Sequence, residues 1–161
     1  IDNSERYAYF SKAVLSTLPH LFWVPDVFVC NGWQSALIPC LYKKYFEGLN
    51  EFYQSLKTIL VIHNLDEYSK IEKSELKNFG VDINKKLKGN ILNIYDVSSY
   101  DVDSILIIDK PGNKISGKLM KRIAFKDNKN KVTVFDQPES ENIDYNPAVD
   151  SLNNIISNLI S

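Results

Sequence analysis

Residues 23–39, WVPDVFVCNGWQSALIP, leave this chain few folds to choose from. Val27, Phe28, Val29 and Cys30 form a continuous apolar run rich in β-formers, bounded by Pro25-Asp26 in front and Asn31-Gly32 behind. A short strand that is apolar on both sides belongs in a parallel sheet covered by helices. Gly32 lets the backbone turn sharply where the strand ends. In open α/β sheets, ligands gather at such strand-to-helix turns, beyond the carboxyl ends of the strands. Asn31, Gly32, Trp33 and Gln34 are therefore the first residues to consider for chemistry.

The remaining segments repeat the alternation. Asp2 and Glu5 have capping-box spacing, and Tyr7, Phe10, Val14 and Leu18 share one face of the helix that follows, until Pro19 stops it. Residues 33–46 read as a second helix that Pro39 must kink or restart. Residues 47–55 read as a loop, and 56–62 (LKTILVI) as a second strand ending in His63-Asn64. The pattern predicts an exposed helix over 69–79 with Gly80 as its C-cap, and a further turn over 83–87. Residues 91–100 are ambiguous, although Ile91, Ile94, Tyr95 and Val102 are spaced for a helical face. Residues 104–108 (SILII) predict the third strand, with a turn over 109–113, and Ile115, Leu119 and Ile123 mark a helix. Residues 131–135 (KVTVF) predict the fourth strand. Finally Asn146 caps and Pro147 opens a helix whose stripe of Val149, Leu152, Ile155, Ile156, Leu159 and Ile160 must dock on a face of the sheet. Alternating strands and helices imply an α/β fold, a parallel sheet with right-handed crossovers, in a single domain over residues 1–161.

Bulk properties exclude several functions. With 161 residues, 44% of them hydrophobic, the chain can bury one core. A net charge of −1 and a pI of about 6.2 argue against a nucleic-acid surface. Cys30 and Cys40, with only His20 and His63, offer no zinc spacing and no disulfide framework. A reducing, cytoplasmic setting without metal or cofactor is the expectation, and no run is long enough to span a membrane. The chain opens at Ile1 rather than Met, already at the entrance of a helix, so residues upstream are expected.

Three blocks in the first 65 residues resemble bacterial glycogen synthase and plant starch synthase. Asp2-Asn3-x-x-Arg6-Tyr7 resembles their Asp-Asn-x-x-Arg-Phe block. Trp23-x-Pro25-Asp26, then Gly32-Trp33-Gln34-Ser35-Ala36-Leu37-x-Pro39, resembles Trp-x-Pro-Asp-Val-x-His-x-His-Asp-Trp-x-x-x-Leu-x-Pro. Ile62-His63-Asn64-Leu65 resembles a strand ending in Ile-His-Asn-Leu. Beyond Asp66 the match fades, and about the last 60 residues are similar to short, single-domain glycogen-synthase-like bacterial proteins. The resemblance implies a Rossmann-like sheet with helices on both faces, as in the N-terminal domain of a GT-B glycosyltransferase, here lacking its first strands. The family reaction is glucosyl transfer from ADP-glucose to an α-1,4-glucan.

The departures matter as much. The family histidine placed near the transferring glucose falls on Asn31, and the other histidine falls on Val29. An asparagine can hydrogen-bond a hydroxyl but carries no charge. The family's Lys-x-Gly-Gly-Leu loop and its donor domain have no counterpart in these residues. Candidate substrate contacts are Asp2, Asn31, Gly32, Trp33, His63 and Asn64, and none is assigned a catalytic role. Four of them also have a plain structural reading: Asp2 as a cap, Asn31 as a turn residue, Trp33 as packing, His63 as a satisfied structural histidine. The expectation is a synthase-like glycosyltransferase domain that does not catalyse by itself and takes an α-glucan or maltooligosaccharide. The alternative is a non-catalytic protein-interaction module whose partner covers the sheet or the C-terminal helix.

Overall fold

The computed structural model describes residues 3–138 and 146–161, so Asp2, read as a cap and as a cleft residue, lies outside the described residues. Four strands, β1 (Val27–Asn31), β2 (Lys57–Ile62), β5 (Ser104–Asp109) and β6 (Val132–Asp136), form one all-parallel sheet in the order β1-β2-β5-β6. Each crossover steps one strand in the same direction. Right-handed crossovers then all fall on one face. That face carries α1 (Asn3–Thr17), α2 (Leu37–Leu41), α4 (Ile94–Ser98) and α6 (Ile123–Asp127), packed against Cys30, Leu60, Ile62, Ile105 and Ile107. The opposite face receives α7 (Asn146–Ile160), which buries Ile155 against Ile59, Val61 and Leu106. The C-terminal stripe thus docks on the sheet, as its spacing predicts. Helices flank both faces, and the parallel α/β reading holds.

The second helix restarts, as Pro39 requires. A single 3₁₀ turn, Trp33–Ser35, precedes α2, and Pro39 falls in the first turn of α2, where its missing N–H leaves no bond unmade. Past Leu41 the helix widens into a π turn, Tyr42–Phe46, closed by Glu47 N–H donating to the Tyr42 carbonyl at 2.8 Å. The loop expected over 47–55 contains a 3₁₀ turn, Glu51–Tyr53.

The segment between β2 and β5 departs most from expectation. Residues 69–79 are not one helix: β3 (Lys70–Glu72) comes first and α3 (Lys73–Asn78) follows through a Glu72/Glu75 capping box. Residues 91–100 likewise split into β4 (Ile91–Asn93) and α4. β3 and β4 pair antiparallel, which fixes residues that local propensity would have left helical. Asn93 marks the switch, its side chain accepting from Tyr95 N–H at 3.0 Å to cap α4. The helix expected around Ile115–Ile123 is two short ones, α5 (Ser116–Leu119) and α6. Gly80 follows α3 at φ +79°, and a Cβ there would lie 1.6 Å from the Tyr45 hydroxyl, so both conformation and space call for glycine.

Buried polar links tie the crossover face together. Asp103 Oδ2 accepts from Thr58 N–H at 2.8 Å and Oγ1 at 3.0 Å, pinning the start of β5 to β2. The Tyr42 hydroxyl donates to the Tyr53 carbonyl at 2.6 Å, and the Tyr53 hydroxyl donates to the Leu15 carbonyl at 2.8 Å. This relay joins the π turn, the 51–53 turn and α1. Tyr53→Phe removes one donor and leaves a buried carbonyl unpaired, a loss of about 1–3 kcal/mol. Urea unfolding of this variant should show a clearly lower midpoint; an unchanged midpoint would mean the relay does not support the fold.

Candidate functional site

The carboxyl ends of all four strands lie along one rim, because the strands run parallel. Side chains alternate between faces every residue, so one face at this rim collects every second residue. Register places Asn31 beside Val61 and Val61 beside Leu106, and it places Ile108 beside Phe135. Two residues past Val61 is His63, two past Ile108 is Lys110, and two past Phe135 is Gln137. Asn31, Val61, His63, Ile108, Lys110, Phe135 and Gln137, with Ala148 from the first turn of α7, line a cleft of about 310 Å³. Its apolar members are Val61, Ile108, Phe135 and Ala148, and its polar members are Asn31, His63, Lys110 and Gln137. Ligand sites of small molecules have this make-up and begin at about this size, roughly 300 Å³.

Local contacts fix the rim. Gly32 sits at φ +72° and ψ −177°, a region open essentially to glycine alone, and its N–H donates to the Val61 carbonyl at 2.9 Å. A Cβ at Gly32 would lie 3.0 Å from Gln34 Oε1 and 3.7 Å from His63 Nε2, which places the imidazole directly beside the first turn. Asp109 is buried and accepts from Ser116 N–H at 2.8 Å and from the Ser116 hydroxyl, so its carboxylate serves the start of α5 and not the cleft. The Asp109 carbonyl accepts from Gln137 N–H at 2.8 Å, and Lys110 and Asn113 exchange backbone bonds across a tight turn.

The structure therefore brings Asn31 and His63 into one cleft, with Gly32 beside His63 but not among the lining residues. Trp33 points elsewhere. It is 8% exposed, makes an edge contact with Tyr7 of α1 at 4.8 Å and stacks near Tyr68 at 6.1 Å. Its packing reading is the one the geometry supports. Asn64, one residue past His63, belongs to the opposite side: its amide donates to Asp66 Oδ2 at 3.2 Å and its carbonyl oxygen meets the Tyr95 hydroxyl at 3.5 Å. Burial, with Asp66 nearby, pushes the Tyr95 phenol well above its usual range, so this hydroxyl stays a donor. Lys110 was legible only as a turn residue ahead of Pro111-Gly112, and Gln137 carried no signal at all. Lys110 and Gln137 lie two residues beyond Ile108 and Phe135, the last apolar residues of the third and fourth strands of the sheet.

The cysteines are core residues. Both are free and buried; burial pushes the Cys30 thiol up to about 12 and raises Cys40 as well, which leaves neither reactive. Among the described residues no cluster of histidine, cysteine and carboxylate side chains could hold a metal ion, and no helix is long and apolar enough to cross a membrane.

The chain can now be set beside known proteins. The sequence profile of the family described as the starch synthase catalytic domain matches residues 1–137. The chain is 36% identical to the glycogen synthase of Lachnospira eligens over 109 residues, covering 68% of this chain and 23% of that one. It is 45% identical to the glycogen synthase of Clostridium perfringens over 64 residues, covering 40% of this chain and 13% of that one. It thus spans about a quarter or less of the curated relatives it matches. In fold it is similar to the catalytic domain of starch synthase IV from Arabidopsis thaliana, solved bound to ADP and acarbose. That match has a TM-score of 0.65 at 20% identity over 83% of this chain and 29% of the other. With the profile running from its first strand to the end of its fourth, the chain belongs to the starch synthase catalytic domain family.

Proposed function

We propose that the rim cleft binds the end of an α-glucan and that these 161 residues hold the sugar without transferring it. The observation that carries this reading is the convergence of Asn31, His63 and Gln137 over the apolar floor of Val61, Ile108 and Phe135, in a member of a glucan-synthase family. Sugars present hydroxyls at the ring edge and C–H groups on the ring face. Amide and imidazole side chains serve the edge, and an apolar floor serves the face. The cleft is small, which suits a chain terminus better than a length of chain.

Non-catalysis rests on charge. Asn31 stands where the resemblance puts a histidine, so a neutral amide replaces a group that could titrate. Glucosyl transfer from a nucleotide sugar must stabilise a departing diphosphate. Among the described residues the cleft holds one lysine for that purpose, Lys110, and no arginine.

A protein-docking reading stands second, for a specific reason. Phe10, Leu21, Phe22 and Trp23 are all exposed, Phe22 at 91% and Trp23 at 57%, and lie together at the α1 end of the sheet. The C-terminal stripe adds little to that reading, since Leu152, Ile155, Ile156 and Leu159 pack on the sheet and only Val149 and Ile160 stay exposed.

Maltotriose at millimolar concentration should shift backbone amide signals of Asn31, His63 and Gln137 more than those of Trp33 or Asn64. Silence at the first group would refute glucan binding. Asn31→Ala should weaken maltotriose by about 2- to 12-fold, the worth of one hydrogen bond of ~0.5–1.5 kcal/mol. In the same preparation, radiolabelled ADP-glucose with maltotriose should give incorporation at background; label in the glucan would show that the chain catalyses after all.

A further inference from the structure

Every polar side chain in the cleft is able to donate a hydrogen bond, and one of them is a fixed cation. Asn31 and Gln137 present amide NH₂ groups, His63 a ring N–H, and Lys110 an ammonium that can only donate. Among the described residues the lining contains no carboxylate. The two acidic side chains nearest in sequence are both committed elsewhere. Asp109 is buried against Ser116, and Asp136 pairs with Lys114 at 2.9 Å. Among the described residues no carboxylate pairs with Lys110. Sites for wholly neutral sugars need acceptors for hydroxyl protons as well as donors, and here acceptors are confined to the two amide oxygens and an imidazole nitrogen.

We propose that the cleft selects an α-glucosyl unit that carries a phosphate monoester, with Lys110 as the phosphate contact. This rests on the saccharide reading of the cleft given above. Lys110 is well placed for the task, since its backbone is held by the exchanged bonds with Asn113 while its side chain opens into the cleft. A bond from an ammonium to a phosphate oxygen is charge-assisted, shorter and roughly twice as strong as a neutral one. The floor of Val61, Ile108 and Phe135 excludes water from one side and strengthens that attraction. The outer side is open, and Lys110 is exposed, so added salt weakens the contact.

Titration calorimetry on this chain should use glucose, glucose 1-phosphate, glucose 6-phosphate, maltotriose and inorganic phosphate, with and without Lys110→Gln. One or both glucose phosphates should bind about tenfold tighter than glucose, the difference between a charge-assisted and a neutral contact. Glucose 1-phosphate in the lead would point to a small activated sugar, glucose 6-phosphate to a glucan phosphorylated on a ring hydroxyl; either supports the proposal. Lys110→Gln should abolish the preference and leave maltotriose within about twofold, with an unchanged melting temperature. Three results overturn it: no preference for phosphate, a preference that survives Lys110→Gln, or inorganic phosphate binding as tightly as either sugar phosphate. If maltotriose binds in those cases, the glucan reading stands alone. If no saccharide binds, both readings fall.

Discussion

A parallel sheet that grows one strand at a time in one direction has two unequal faces. Handedness sends every crossover to the same side, and nothing in that rule covers the other. Here the whole crossover load, including the β3–β4 ribbon, leaves one face densely packed, and α7 alone protects the other. Among the described residues no strand follows β6, and α7 packs on the bare side. It lays Leu152, Ile155, Ile156 and Leu159 against a cluster of β2 and β5 residues that Val27 of β1 also joins, while Val29 of β1 stays exposed. The cleft exists because this cover is partial: apolar strand residues continue under the amino end of α7 and emerge at the rim.

The same alternation decides which residues meet. A one-residue step along a strand exchanges the two faces. His63 enters the cleft and Asn64 does not, although a sequence motif presents them as a pair. Asn64 instead joins Asp66, Tyr95, Ser69 and Asn93 in a polar cluster that closes the β3–β4 ribbon against the sheet. A motif shared with a family thus divides into a cleft-facing half and a structural half, and only the strand period separates them.

How much of this could be read from the chain depends on the length of each signal. The four parallel strands and α7 carry long apolar runs or a clear helical stripe, and their places hold to within a residue or two. β3 and β4 are three residues each, too short to show a period of two, and they exist through their pairing with each other. Sequence neighbours around Ile91 and Ile94 therefore spoke for a helix that begins only at Ile94. At the site, Asn31 and His63 were visible because each follows a recognisable strand. Lys110 was hidden by the Pro111-Gly112 turn, and Gln137 by the lack of any pattern beyond Phe135. Trp33 misled for the opposite reason: a tryptophan after a strand-end glycine looks like a ligand platform, yet the restart of the helix at Leu37 turns it onto Tyr7.

On the proposed reading, an asparagine at position 31 bears on what the cleft is able to do more than on what it is able to hold. Binding and transfer make different demands on the same rim. Holding a saccharide needs only neutral donors and acceptors at fixed positions, and these survive: Gly32 in its glycine-only conformation, His63 beside it, Gln137 tied to β5 through the Asp109 carbonyl. Transfer needs charge that appears in step with bond breaking, and interactions stronger in the transition state than in the ground state. A neutral amide offers the same hydrogen bond to both states. Among the described residues Lys110 is the cleft's one fixed cation, and it sits just past β5, two strands removed from Asn31 on β1, with β2 between them. Its charge therefore acts on a different part of a bound ligand from the one that Asn31 touches. That separation favours a cleft that reads a charged sugar at rest over one that drives a charge to develop.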